Sequence, residues 1–205
     1  MFLFFLLSMK KNDERSLLTR NRILKKSMGL FVLKGYHNTT VRDIAKELSV
    51  STGAIYHHFN SKEEIAISLF DNTVLLLNNL FNNIIKSNKT TENKIKEFVY
   101  GIIRVAKDDH IMMEYALNVK HKEIIKGVKP ICSSGPFHLL RTFLNNEMKK
   151  GNIKKMNSYI ATVCLTGIPI RLIQVKWDKV IKDDIFNYKD IVFESVWEIL
   201  KPSSV

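Results

Sequence analysis

Cysteine, proline and glycine are all scarce in this chain, at two, four and eight residues of 205. Cys132 and Cys164 are too few and too far apart for a disulfide framework or a cysteine zinc site. Both read as small apolar residues of a reducing compartment. So little glycine and proline leaves few tight turns, and the sequence reads as long helical periods separated by short polar breaks. Internal repeats and low-complexity tracts are absent, and no run of about 18 uncharged apolar residues is available to span a bilayer. The opening MFLFFLLSMKK has six apolar residues in a row. It lacks a preceding basic segment and a small-residue cleavage site, so it is read neither as a signal peptide nor as a membrane span. Met9 reads as the true start, with residues 1–8 outside the translated chain. The expectation is a cytoplasmic protein with no membrane contact.

Positive charge, by contrast, is abundant. Lysine and arginine number 32 against 20 acidic residues, a formal charge of +12. Such a surface attracts phosphate polyanions, which concerns partners rather than fold. Hydrophobic residues at 45% supply a packed core, which separates this chain from a disordered polycation.

The helical periods place function. From Thr19, read as a cap, Ile23, Leu24, Leu30 and Phe31 recur at helical spacing until Gly35 stops the first helix. In NTTVRDIAKELSVS, Thr39 or Thr40 caps a short second helix whose stripe is Val41, Ile44, Ala45 and Leu48. After the SVS turn comes STGAIYHHF, a further two-turn helix. Ser61 then caps a fourth helix from Lys62 to about Lys86, with Glu64 three residues on completing a capping-box pattern.

Two short helices joined by a tight turn make a helix-turn-helix, a unit that lays its second helix in the DNA major groove. Ser51, Thr52, Gly53 and Ala54 are small enough for the backbone to approach base edges. Ile55 and Phe59, four apart, anchor the same helix to the core. Tyr56 and His57 then face away from that core and can reach phosphates. Adjacent residues on a helix point about 100° apart, so His57 and His58 are poorly placed to share a metal ion. No metal or cofactor is expected.

The run ILKKSMGLFVLKGYHNTTVRDIAKELSVSTGAIYHHFNSKEEI resembles the DNA-binding domain of the TetR family of transcriptional regulators. It shows Gly-Tyr, Thr-Thr-Val, Ile-Ala, Val-Ser, Gly, Tyr, His-Phe and Lys-Glu in that family's order. The resemblance covers residues 20–70 and implies that Thr40, Arg42, Thr52, Gly53, Ala54, Tyr56, His57 and Lys62 meet DNA. It implies a structural role for His58 and Phe59. Three mild departures are Ser27 where the family favours Ala, Ser49 where it often has Gly, and Ile65 where Leu is usual.

The expected fold is all-α: a tail over 1–18, a three-helix DNA-binding domain over 19–61, a connecting helix and linker over 62–90, and a helical regulatory and dimerisation domain over 91–205. Helices are expected near 91–108, 110–118, 120–129, 134–150, 157–176 and 184–200. The last two are the most apolar and can form a four-helix contact with a second copy. Phe98, Tyr100, Met112, Met113, Tyr115, Phe137, His138 and Trp177 could line a pocket or simply form core. The resemblance implies a homodimeric repressor on a palindromic double-stranded operator, released by a small-molecule effector. The alternatives are a ligand-independent DNA-binding protein under a protein partner's control, and an all-helical enzyme using His110, His121 or Glu114 as acid–base groups.

Overall fold

The structure, a computed structural model, describes residues 11–128, 131 and 134–202, with side chains from Thr19 onward. The expectations for residues 1–9 and for Cys132 lie outside the described residues. The described residues are helical with no strand, and they group into two compact units.

The first unit comprises the described residues up to Asp71 together with Asn118–Val128. Helix α1 (Lys11–Lys34) begins two turns before Thr19, because no glycine or proline interrupts residues 11–18. Thr19 is therefore interior rather than a cap. Gly35, at φ 81°, ends the helix in the left-handed conformation that glycine adopts without penalty. Helix α2 (Val41–Leu48) is capped by Thr40, not Thr39. Thr39 is instead fully buried, its hydroxyl donating to the Gly35 carbonyl at 2.8 Å.

Ser49 closes α2 at φ 56° and leads to α3 (Thr52–Tyr56), where the Ser51 hydroxyl accepts from Ala54 N–H at 3.2 Å. The helical hydrogen bonding continues past Tyr56 as a turn through Phe59 N–H to Ile55 O, so the expected two-turn helix is one turn plus this extension. Helix α4 (Lys62–Lys86) runs over the expected span. Ser61 accepts from Glu64 N–H at 3.1 Å, but the Glu64 carboxylate accepts from Asn60 N–H and Nδ2, one residue earlier than a capping box requires. The core of this unit is Ile23, Leu24, Phe31, Ile44, Ile55, Phe59, Ile65 and Leu69.

The second unit holds the rest of α4 from Asn72, then α5 (Thr91–Asp108) and α6 (His110–Asn118) as far as Leu117. The short α7 (His121–Ile124) falls in the first unit. It is shorter than the expected 120–129, and Gly127 lies just beyond it at φ 78°. The second unit continues with α8 (Gly135–Lys149), α9 (Ser158–Trp177), a 3₁₀ turn at Ile185–Tyr188 and α10 (Lys189–Leu200). The polar break SNKTTEN contains the turn between α4 and α5, where Thr90 caps α5.

Helix α9 packs against α5, α8 and α10. Around it lies one apolar cluster that includes the edge-to-face and tilted rings of Phe81, Phe98 and Phe143. Phe98, Met112, Met113 and Tyr115 are all buried. Glu147 is buried too. Burial alone would raise its pKa, yet hydrogen bonds from Asn152, Lys150 and Thr91 pull it down to about 2. Among the described residues α9 is the one helix long and apolar enough to cross a membrane. Its Tyr159, Ile160 and Val163 are more than half exposed, as is Ile191 of α10.

Candidate nucleic-acid interface

Helix α3 is held from behind. Ile55 and Phe59 are each 1% exposed, and the Arg20 guanidinium lies 4.5 Å from the Phe59 ring centroid while donating to Ser68 Oγ at 3.0 Å. One arginine thus joins α1, the end of the α3 turn and α4. Thr19, Arg22, Ile23, Leu48, Val50, Ala54 and Ile55 line a hollow of about 30 Å³ between α1, the α2–α3 turn and α3, room for about one water molecule.

The outer side of α3 carries Ser51, Gly53, Tyr56 and His57, all exposed, with Thr52 and Ala54 half-buried between them. A Cβ built on Gly53 would meet nothing nearer than Ser51 Oγ at 3.7 Å, so neither packing nor a positive φ within the protein requires glycine there. The His57 and His58 rings meet edge to face with centroids 5.2 Å apart. His58 is half-buried, and that burial, then the charges of His57 and Arg20, lowers its pKa.

At the start of α2, Arg42 is exposed and Thr40 is engaged in a reciprocal cap. Thr40 N–H and hydroxyl both donate to Asp43 Oδ2, at 2.8 and 2.6 Å, while Asp43 N–H donates back to Thr40 Oγ1 at 3.1 Å. Hydrogen bonds from the Thr40 side chain and backbone lower the Asp43 pKa. The Thr-x-x-Asp spacing carries this signal in the sequence, although Asp43 was not among the expected site residues.

Lys62 is placed differently from its neighbours in this set. Its ammonium donates to the carbonyls of Tyr36 and Thr39, each at 2.8 Å, and lies 4.1 Å from the Tyr36 ring centroid. Burial lowers its pKa. Thr40, Arg42, Ser51, Gly53, Tyr56 and His57 are therefore exposed on α2, α3 and their flanks, whereas Lys62 is directed into the α1–α2 turn.

Comparison with known proteins bears on this arrangement. The family model of the bacterial regulatory proteins, tetR family, matches residues 23–69. IcaR of Staphylococcus aureus, an HTH-type negative transcriptional regulator of the biofilm operon icaADBC, is 29% identical over 103 residues, 48% of this chain and 53% of that protein. The match thus spans about half the length of that relative. The fatty acid degradation regulator FadR from Bacillus halodurans has a similar fold, with a TM-score of 0.74 at 22% identity over 87% of this chain and 94% of its own. FadR from Bacillus subtilis, solved in complex with stearoyl-CoA, gives 0.70 at 23% over 86% and 96%. The N-terminal helix-turn-helix thus matches the tetR family of bacterial regulatory proteins in sequence over α1 to α4, and it is set in a fold similar to that of these solved regulators.

Proposed function

We propose that this protein is a sequence-specific transcriptional repressor. In this reading a cytoplasmic homodimer binds a palindromic operator through α3 and the start of α2 and is released by a small-molecule effector held in the second unit. The observation that carries the DNA-binding part is Gly53. It lies on the exposed side of a helix anchored from behind by Ile55 and Phe59, with room for a Cβ whose nearest neighbour would be Ser51 Oγ at 3.7 Å. A glycine in a helix costs up to about 1 kcal/mol relative to alanine, and close approach of an external surface accounts for keeping it. Thr52, Ala54 and Ser51 beside it offer small groups to base edges, and Tyr56, His57, Arg42 and Thr40 stand around them for phosphates.

The dimer is supported by the exposed apolar side chains of α9 and α10, Tyr159, Ile160, Val163 and Ile191. These are the groups a two-fold four-helix contact would cover. Repression is supported by the negative regulator IcaR, and an effector by the stearoyl-CoA complex of one structural neighbour.

Selection of duplexes from a randomised pool tests the reading. Enrichment of an inverted repeat with half-sites about one helical turn apart, roughly 34 Å, is the expected result. Recovery of unrelated sequences in proportion to the input would contradict it.

A further inference from the structure

Lysine 62 has an environment unlike that of a residue waiting for a phosphate. A cation at a helix N-terminus is disfavoured by the helix dipole. Here the opposing negative ends come from within the protein, as two backbone carbonyls at 2.8 Å and the face of an aromatic ring. These partners are not scattered. Tyr36 and Thr39 belong to the turn between α1 and α2, which is further closed by Thr39 N–H donating to Tyr36 O at 3.2 Å. The peptide joining Thr39 to Thr40 is consequently fixed at both ends. Its carbonyl accepts from Lys62, and its N–H donates to Asp43 at 2.8 Å. That peptide begins α2, so the first residue of α4 sets the direction in which α2, and with it Thr40 and Arg42, leaves the turn.

We propose that Lys62 is a positioning residue for DNA binding, one that clamps the α1–α2 turn and orients the start of α2 rather than contacting a phosphate itself. This rests on the DNA-binding reading above and refines the role of one residue within it. Two of the three ammonium hydrogens are spent on carbonyls and the ammonium rests against the Tyr36 ring, so turning it toward a phosphate would weaken contacts that hold the site's own framework. Arg42, exposed on α2, is free of such duties.

Two measurements test the clamp, both using the full chain and the duplex it selects from a randomised pool. The first needs no variant: lysine acylation followed by mass spectrometry, with and without that duplex. Lys62 is expected to react several-fold more slowly than exposed Lys25 and Lys46 in the free protein, with little further change on adding DNA. Rapid reaction in the free protein with protection only by DNA would overturn the proposal. The second is the salt dependence of binding by Lys62→Met. Loss of a phosphate contact lowers the slope of log K against log salt by about 0.9. The clamp predicts instead a binding constant about tenfold lower with an unchanged slope, the cost of losing hydrogen bonds that orient the site. A slope reduced by the full contact sinks the proposal, as does unchanged affinity, which would leave Lys62 with no part in DNA binding. If the wild-type protein retains no duplex, the DNA-binding reading itself falls, a result distinct from either of these.

Discussion

Thr40 and Asp43 close on each other at the start of α2 in the first unit: the hydroxyl of one donates to the carboxylate of the other at 2.6 Å, and three hydrogen bonds in all join the pair. An N-cap of this kind contributes about 1 kcal/mol. Thr40→Ala should lower the denaturation midpoint accordingly, while Thr40→Ser should restore most of it. The Asp43 pKa is lowered by Thr40, so its stabilisation is present above the ordinary aspartate range and is lost as the pH falls through the folded value. Removing the hydroxyl should move the Asp43 titration, followed by NMR, upward toward its ordinary value.

Two residues depart from the family pattern at a cost visible in the fold. Ser27 is completely buried with no hydrogen-bond partner for its hydroxyl among the described residues, and Ser49 sits at φ 56°, a conformation that suits glycine. Ser27→Ala should stabilise the protein by roughly 1 kcal/mol, the penalty of an unsatisfied buried hydroxyl. Ser49→Gly should add about 0.5 to 1 kcal/mol by relieving the left-handed strain. Chemical denaturation of the two single variants and the double checks both, and the effects should add.

Acid should weaken the first unit through His121. Its imidazole is buried edge-on against Phe70 with ring centroids 5.2 Å apart, and burial lowers its pKa to about 4. An unfolded chain protonates histidine near 6.5, so between these values the unfolded state binds more protons. The stabilisation is therefore full above about pH 6.5 and declines as the pH falls toward 4, by up to about 3 kcal/mol. Denaturation midpoints at a series of pH values should show this slope in the wild type. His121→Leu should flatten it.

Helix 3 separates stability from function at Gly53. Alanine there has room for its Cβ and better helix propensity, so Gly53→Ala should leave the fold intact or stabilise it by up to about 1 kcal/mol. DNA binding should nonetheless fall, because the added methyl stands between the helix and the groove. Thr52→Ala should alter which sequence is preferred, whereas Tyr56→Phe should weaken selected and scrambled duplexes alike.

The exposed α9 side chains should matter only to assembly. Val163 is 63% exposed, so a glutamate there costs the isolated protomer little. Sedimentation of Val163→Glu should report a monomer at concentrations where the wild type is a dimer.

Much of this fold was legible because its helices carry their own boundaries. Lys62–Lys86, Thr91–Asp108 and His110–Asn118 follow from polar breaks and apolar periods that tertiary packing did not override. The start of α1 was not legible, because a threonine in a continuous helical stretch carries the same local signal as a cap. Only the hydrogen bonding of the preceding residues distinguishes the two. The outer face of α3 was readable from its spacing and small residues. Its apolar anchors Ile55 and Phe59 were readable too, whereas the cationic supports were not, since Arg20 reaches Ser68 across 48 residues and Lys62 reaches Tyr36 across 26. Such contacts depend on where the helices cross, which local periodicity does not encode.

The most direct measurement is the binding isotherm of the wild-type protein on its selected duplex and on a scrambled duplex of the same composition, across a salt series. A preference of about a thousandfold or more that persists near physiological salt is the predicted result. Equal affinity for the two duplexes, collapsing together as salt rises, would show only the attraction of a basic surface for phosphate and would contradict sequence reading by α3.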